Sequence, residues 1–203
     1  MSQPVLSEKQ LAHVILRRLP FVTGLILSLQ ALVFIFISES QGGSLFGLAV
    51  PNDALTKMLA FDARSPARQN GLPFLSSFFV HQDLSHFFNN ALFFSVLGCF
   101  LEAKGGKRAL AVPLILGHAA ALSGSLVAHH LFAQSPWVIG MSGGVLALVY
   151  PAARLWSPAW SLPLVLFLAI VFLALSLPLA VSHVPALLVG VLAGVVLKIE
   201  KRP

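Results

Sequence analysis

Long apolar segments separated by short polar ones run through the whole chain. A membrane hydrocarbon core of ~30 Å is crossed by ~20 apolar residues in a helix, and spans packed inside a bundle can be shorter. On this pattern we predict six membrane helices, at about Leu19–Ile37, Leu84–Leu101, Ala109–Phe132, Ser142–Leu155, Trp160–Leu177 and Ser182–Ile199. The pattern therefore predicts an all-α, polytopic membrane protein. Its membrane domain, residues 19–199, would lie between an N-terminal segment, residues 1–18, and a short tail, residues 200–203.

One connection, residues 41–84, is much longer than the others. It contains two apolar patches, Leu45–Val50 and Leu72–Val80, which are too short to cross a membrane and are interrupted by Pro51 and Pro73. Irregular backbone at membrane depth is tolerated where other parts of the protein cover it. We expect this connection to form a loop that partly enters the membrane.

Basic residues are divided unevenly between the two sides of this topology. Of the 13 Lys and Arg residues, only Lys57, Arg64 and Arg68 fall in the long connection, and the other ten fall on the side that holds both termini. Cytoplasmic loops carry the excess of Lys and Arg in membrane proteins. We therefore expect both termini in the cytoplasm and residues 41–84 outside, in the cytoplasmic (inner) membrane of a bacterium.

Composition excludes several classes of protein. With 57% hydrophobic and 10% charged residues, the chain is too apolar to cover a soluble domain with polar surface. The net charge of +6 lies in short clusters between apolar segments, as orientation signals do, and we find no nucleic-acid-binding module. The single cysteine, Cys99, lies within an apolar segment, so we expect it to pack between helices and to form no intrachain disulfide.

Three of the predicted spans carry polar side chains at their outer ends. His86 and Asn90 lie at the start of the second span, Ser142 at the start of the fourth and His183 at the start of the sixth. Ionisable residues inside a membrane are costly and suggest a functional site. The topology therefore predicts that these four side chains gather at one depth near the outer surface.

The strongest candidate for chemistry is the serine in Gly140-Met141-Ser142-Gly143-Gly144. A serine hydroxyl is a weak nucleophile until a base accepts its proton, and His183 is the best candidate base. The alternative is that the glycines serve only close packing of helices, since glycine is common in membrane spans.

A stripe of small residues places His183 on a packing face. Ala186, Gly190 and Gly194 are spaced by four residues, which lets another helix come very close. His183 precedes them by three, seven and eleven residues and so lies on the same face. We expect the fourth span to pack there, because it begins with Ser142 and two glycines, and to bring the hydroxyl to the imidazole. The alternative is a histidine that only bonds a carbonyl at a helix end.

His86 and Asn90 are four residues apart, so they share a helix face and can point at one spot. Both can donate hydrogen bonds, and attack on an amide needs donors where the oxyanion develops. The Ser142 backbone N–H at a helix start is a further donor. Asn89 would point elsewhere. The alternative for Asn90 is a hydrogen bond that joins two membrane helices.

These residues together resemble the rhomboids, the family of intramembrane serine proteases, over nearly the whole chain. The motifs that carry the resemblance are His81-x4-His86-x3-Asn90, Leu97-Gly98 followed by Glu102, Leu122-Ser123-Gly124, Gly140-Met141-Ser142-Gly143, and His183 followed by Gly190. The chain departs from the family pattern at two places. Pro73-Phe74 occupies the position of a Trp-Arg pair in the first loop, and Ala186 replaces the glycine three residues after the catalytic histidine.

The resemblance implies a six-helix bundle and a Ser-His dyad that needs neither a catalytic carboxylate, a metal nor a cofactor. It makes Ser142 the nucleophile and His183 the general base. The remaining assignments are oxyanion and substrate-binding roles for His86, Asn90 and Gly140, and supporting roles for His81, Gly143 and Gly190. The expected substrates are single-span membrane proteins in the lipid bilayer, cut near the outer face.

Four other functions are weighed against this one. The resemblance also allows a catalytically silent client-binding protein, or a rhombosortase-like enzyme that processes C-terminal sorting tails. A small transporter would use Asn89, Asn90, His118, His129 and His130, but the chain lacks interrupted spans that recur in inverted order. A metal site at His81, Asp83 and His86 lacks both an H-E-x-x-H helix and a cysteine partner.

Overall fold

The computed structural model describes residues 19–40 and 54–199, and within them the chain is almost entirely helical. Predictions for residues 1–18, 41–53 and 200–203 lie outside the described residues. The elements in chain order are α1 (Phe21–Ser40), α2 (Ala54–Leu59), β1 (Phe61–Asp62), a 3₁₀ turn (Arg68–Gly71), α3 (Leu72–Ser76), α4 (Leu84–Lys104), α5 (Lys107–Phe132), β2 (Trp137–Val138), α6 (Ser142–Ala147), α7 (Val149–Trp156), α8 (Pro158–Leu175) and α9 (Leu177–Val196).

Five of these helices, α1, α4, α5, α8 and α9, are long and apolar enough to cross a membrane. They correspond to the first, second, third, fifth and sixth predicted spans. The prediction of an all-α membrane bundle is confirmed. The ends of most spans differ from the predicted ones by two or three residues.

The fourth predicted span, Ser142–Leu155, is two short helices in succession, α6 and α7. Leu148 joins them with helical backbone angles, φ −77° and ψ −16°, and its N–H bonds Val145 O at 3.0 Å in the tighter 3₁₀ manner. The predicted bounds of this span agree with the two helices together, but the interruption at Leu148 was not predicted. Residues Gly143 and Gly144 weaken regular helix here, and packing against neighbouring helices holds the segment instead.

The sixth span was predicted to begin at about Ser182, but α9 begins five residues earlier, at Leu177. The Ser176 hydroxyl caps the helix by accepting a hydrogen bond from Leu179 N at 3.1 Å, and Pro178 follows within the first turn. A serine cap followed by an early proline is a helix-start signal in sequence. His183 consequently lies in the second turn of α9.

Small residues bring α6 between α5 and α9. On the α9 side, a Cβ added to Gly190 would lie 2.9 Å from Ala147 Cα, far inside van der Waals contact. On the α5 side, Gly143 faces the Ala121 side chain at equally short range. The predicted approach of the fourth and sixth spans is confirmed, and the stripe residue Ala186 is fully buried there. The matching contact with α5 was not predicted.

At the other end of the bundle, Glu102 of α4 caps α1. Its carboxylate accepts hydrogen bonds from Val22 N, Thr23 N and Thr23 Oγ1, each at 2.9 Å. The first N–H groups of a helix have no partner within the helix, and negative charge there is favoured by the helix dipole. Gly98, one turn earlier on α4, leaves room for Thr23. This buried carboxylate therefore fixes where α1 docks on α4.

Replacing Glu102 by Gln should destabilise the fold, because an amide carries no charge and one of its two polar atoms donates rather than accepts. Losing charge-assisted hydrogen bonds of this kind costs about 1–3 kcal/mol. We expect a lower midpoint of thermal unfolding in detergent, followed by tryptophan fluorescence. Glu39→Gln is the matched control, since Glu39 is exposed near the end of α1. Equal midpoints for the two variants would contradict the capping role.

Candidate active site

The structure brings the Ser142 hydroxyl and the His183 imidazole together. Ser142 Oγ lies 3.4 Å from His183 Nε2, although the residues belong to α6 and α9. This distance is longer than a well-formed hydrogen bond of 2.7–3.2 Å. Dyads without substrate often have long hydrogen bonds that shorten in the reacting complex. The predicted pair can therefore act as a hydroxyl and its proton acceptor.

Three groups hold the His183 ring, two at Nδ1 and one on a face of the ring. The Ser182 hydroxyl lies 2.8 Å from Nδ1, and the Leu179 carbonyl oxygen lies 3.2 Å from the same nitrogen. The Phe172 ring of α8 stacks on the imidazole with centroids 5.3 Å apart and planes 18° apart. Within residues 19–40 and 54–199, no carboxylate hydrogen bonds to His183. The base is held by neutral groups.

The Asn90 side chain is buried and has an unused donor. It is 6% exposed, and its Nδ2 has no hydrogen-bond partner among the described residues. A buried donor without a partner is costly, which makes it notable in a protein of this size. Asn89, by contrast, is exposed and points elsewhere, as predicted.

Gly140 lies against both His86 and Asn90. A Cβ on Gly140 would be 2.7 Å from His86 Nε2 and 3.4 Å from Asn90 Nδ2, and its φ of +95° is a conformation that side chains disfavour. The two side chains thus converge on the backbone just before Ser142. Asp83 is committed to capping α4, since it accepts from His86 N at 2.7 Å.

His81 is buried and packs against the His86 ring. It is 1% exposed, its Nδ1 lies 3.3 Å from Phe79 O, and its ring meets the His86 ring edge-on at 5.1 Å. Burial, helped by the nearby His86, lowers the pKa of His81 to about 4. His81 is therefore neutral at physiological pH and packs against His86 without repelling a proton on it.

A cavity of about 370 Å³ lies near the dyad and is lined by His86 and by Ser182, the residue before His183. Its other polar lining includes Gln82 before α4, and Gln134 and Ser135 after α5. A cavity with several polar partners holds water readily. Water can thus come close to the Ser142–His183 pair.

The loop that leads to Ser142 is joined to the long first connection. β1 and β2 pair antiparallel, with Phe61 opposite Val138, and Gly140 N donates to Ser77 O at 2.8 Å. From α5, His118 Nε2 lies 3.1 Å from Phe74 O and 3.4 Å from Ser77 Oγ. These bonds fix Gly140, and hence the start of α6, relative to the first connection.

Trp137 anchors the first connection between two arginines. The Arg64 and Arg68 guanidinium carbons lie 5.1 and 5.0 Å from the Trp137 ring centroid, within cation–π range. Arg64 also bonds Asp62 through two nitrogens at 3.0 Å, and this arginine holds the pKa of the Asp62 carboxyl below its usual value. Arg68 donates to the Lys57 and Ala60 carbonyls around the end of α2. These contacts hold the segment from Lys57 to Arg68 against Trp137.

Sequence reasoning missed several of these contacts. The contacts of Trp137 were not predicted, and His118 was considered only as part of a transporter path. Ser182 could have been singled out in the sequence, because it directly precedes the candidate base. Phe172 could not, since one phenylalanine among sixteen in an apolar chain is not distinctive.

Replacing Trp137 by Ala should loosen the first connection, because it removes two cation–π contacts worth ~0.5–1 kcal/mol each at exposed sites. A loss of ~1–2 kcal/mol corresponds to amide exchange roughly 5- to 30-fold faster in segment 61–71. Hydrogen exchange with mass spectrometry measures this. Trp156→Ala is the matched control, as Trp156 is 82% exposed. Unchanged exchange in segment 61–71 of the Trp137 variant would rule out the anchor.

Comparison with known families identifies the fold. A family model described as the Rhomboid domain matches residues 68–200, which include α3 to α9 and every site residue described above. A comparison with curated proteins gave no match. Rhomboid proteins are in general intramembrane serine proteases, and catalytically inactive members exist. Since the matched range covers more than half of the 203 residues, the chain is an integral, multi-pass membrane protein that belongs to the rhomboid family.

Proposed function

We propose that the protein is an intramembrane serine endopeptidase that cuts the transmembrane segments of single-span membrane proteins. Ser142 is the nucleophile and His183 the general base. The observation that carries the proposal is the 3.4 Å approach of Ser142 Oγ to His183 Nε2, made by two separate helices in a rhomboid fold. The unpartnered Asn90 Nδ2 beside Gly140 supplies independent support.

In the first half of the reaction, Ser142 Oγ attacks the scissile carbonyl carbon while His183 Nε2 takes the hydroxyl proton. The carbonyl oxygen becomes an oxyanion, which accepts hydrogen bonds from Asn90, His86 and the Ser142 N–H. His183 then gives the proton to the leaving amine. The peptide bond breaks and an acyl-enzyme on Ser142 remains.

In the second half, water from the cavity near His86 and Ser182 attacks the acyl carbon. His183 takes a proton from that water and returns it to Ser142 Oγ as the ester bond breaks. The products are two peptide fragments, and the enzyme regains its starting state. A substrate helix must unwind locally, because helical hydrogen bonds otherwise cover the scissile carbonyl.

The site faces the extracytoplasmic side in this proposal. His86, Ser142 and His183 lie near the starts of their helical segments. Lys104, Arg154 and Lys198 lie at or just beyond the far ends of the same segments. Basic residues favour the cytoplasmic side. The membrane is the cytoplasmic (inner) membrane of a bacterium, and substrates expose a soluble domain on its outer face.

Replacing Ser142 or His183 by Ala should abolish both cleavage of a model single-span substrate and labelling by a fluorophosphonate probe. Loss of either dyad member removes nucleophilic catalysis, with an expected fall of at least ~10³-fold in kcat. Gel analysis of purified protein in liposomes measures both readouts. Ser95→Ala is the control, since the hydroxyl of the half-buried Ser95 bonds Leu92 O in its own helix.

The outcomes separate the competing functions. A wild-type protein that neither labels nor cuts would be a silent client-binding rhomboid. One that labels but cuts only C-terminal sorting tails would be rhombosortase-like. Cleavage that persists in the Ser142 variant would refute the assignment of the nucleophile.

Replacing Asn90 by Ala should lower kcat by roughly 10- to 100-fold, because one of three oxyanion donors is lost. The KM should change little, since that donor acts mainly on the transition state. Asn89→Ala is a matched control one residue away on the exposed face. If both variants kept wild-type kcat, Asn90 would be a structural residue that only joins helices.

A further inference from the structure

His183 has no carboxylate partner among the described residues, yet its orientation is restricted at Nδ1. In serine proteases of the triad type, a carboxylate that accepts from Nδ1–H fixes the tautomer whose Nε2 is free to act as a base. In the part of the chain that the structure describes, only neutral groups bond this nitrogen. The question is whether they select one tautomer.

The contacts around Nδ1 favour one tautomer. Leu179 O lies 3.2 Å from His183 Nδ1, and a carbonyl oxygen only accepts, so this contact is a hydrogen bond only when Nδ1 carries a proton. The Ser182 hydroxyl lies 2.9 Å from Leu179 O and 2.8 Å from Nδ1, so it can donate to the carbonyl while its oxygen accepts from Nδ1–H. A hydroxyl that donated to Nδ1 instead would leave Leu179 O facing an unprotonated nitrogen. The arrangement that satisfies all three contacts leaves the Nε2 lone pair facing Ser142.

We propose that Ser182 is a positioning residue whose hydroxyl holds the His183 ring in the base-competent tautomer and orientation. This inference rests on the proposed protease function. Ser182 is 8% exposed, and its hydroxyl oxygen lies closer to Nδ1 than Leu179 O does, at 2.8 Å against 3.2 Å. The Phe172 ring, stacked on the imidazole, limits rotation of the ring out of its plane. Ser182 thus takes over the orienting part of a triad carboxylate without its charge.

The same bonds favour the protonated base during turnover. When His183 accepts the Ser142 proton, its Nδ1–H becomes a stronger donor, and the Ser182 oxygen and Leu179 carbonyl both accept from it. A neutral acceptor stabilises this cation less than a carboxylate does. Because Leu179 O remains when Ser182 is changed, removal of the hydroxyl should weaken catalysis without abolishing it.

The test is Ser182→Ala, with Ser176→Ala as the matched control. Each change removes one hydroxyl, from the cap of α9 or from its second turn, but the Ser176 hydroxyl bonds Leu179 N whereas that of Ser182 lies against the imidazole. We expect Ser182→Ala to lower kcat by about 3- to 10-fold with KM nearly unchanged, as for the loss of one hydrogen bond. Ser176→Ala should lower thermal stability and leave kcat of the folded protein unchanged.

A spectroscopic readout tests the tautomer directly. In ¹⁵N-histidine-labelled protein in micelles at a pH where His183 is neutral, the wild type should carry its ring proton on Nδ1. Ser182→Ala should raise the population of the Nε2–H form, with the His183 signal assigned by its loss in His183→Ala. Equal tautomer populations in wild type and Ser182→Ala, or equal falls in kcat for both serine variants, would overturn the proposal.

This measurement also separates the inference from the function on which it rests. A wild type that does not cut or label refutes the protease, while its tautomer populations still report on Ser182. A protein that cuts normally and shows no tautomer change in Ser182→Ala keeps the protease function and loses the positioning role.

Discussion

Close contact between α6 and the helices on either side of it is the constraint on which the site depends. Apolar side chains gain little from meeting one another in lipid, so membrane helices associate through tight packing and polar bonds. Gly143 and Gly190 let α5 and α9 come so near to α6 that a side chain at either position would collide with backbone or Cβ atoms. Only when α6 and α9 are this close can the side chain of Ser142 on α6 meet that of His183 on α9.

Some buried polar groups in this bundle have partners and others do not. Glu102 is bonded by the backbone of α1, and His118 lies within hydrogen-bond distance of the Phe74 carbonyl. Four buried side-chain atoms have no partner among the described residues: Gln30 Oε1, Arg68 Nε, His81 Nε2 and Asn90 Nδ2. Of these, Asn90 Nδ2 lies against Gly140, two residues before Ser142, and an incoming oxygen can recover the free energy that this unsatisfied donor costs.

The sequence predicted the features that depend on hydrophobic length and spacing. The long helices, the small-residue face of α9 and the meeting of Ser142 with His183 all follow from periodicity and topology, which are properties of single segments. The break at Leu148 and the clustering of Arg64 and Arg68 on Trp137 do not, because they depend on how distant segments pack. The early start of α9 was predictable from Ser176 and Pro178, but the apolar stretch through Leu177 obscured it.

The short length of α6 and α7 sets the depth of Ser142 in the membrane. Six residues of α6, Leu148 and eight residues of α7 form the stretch, which rises ~22 Å at 1.5 Å per residue, against ~30 Å of hydrocarbon. With Trp156 at one headgroup boundary, as exposed tryptophans prefer, Ser142 lies ~8 Å inside the opposite one. For the proposed protease, the peptide bonds within reach of the hydroxyl would be those submerged among acyl chains, and a bond in a juxtamembrane stalk would lie too high to be cut.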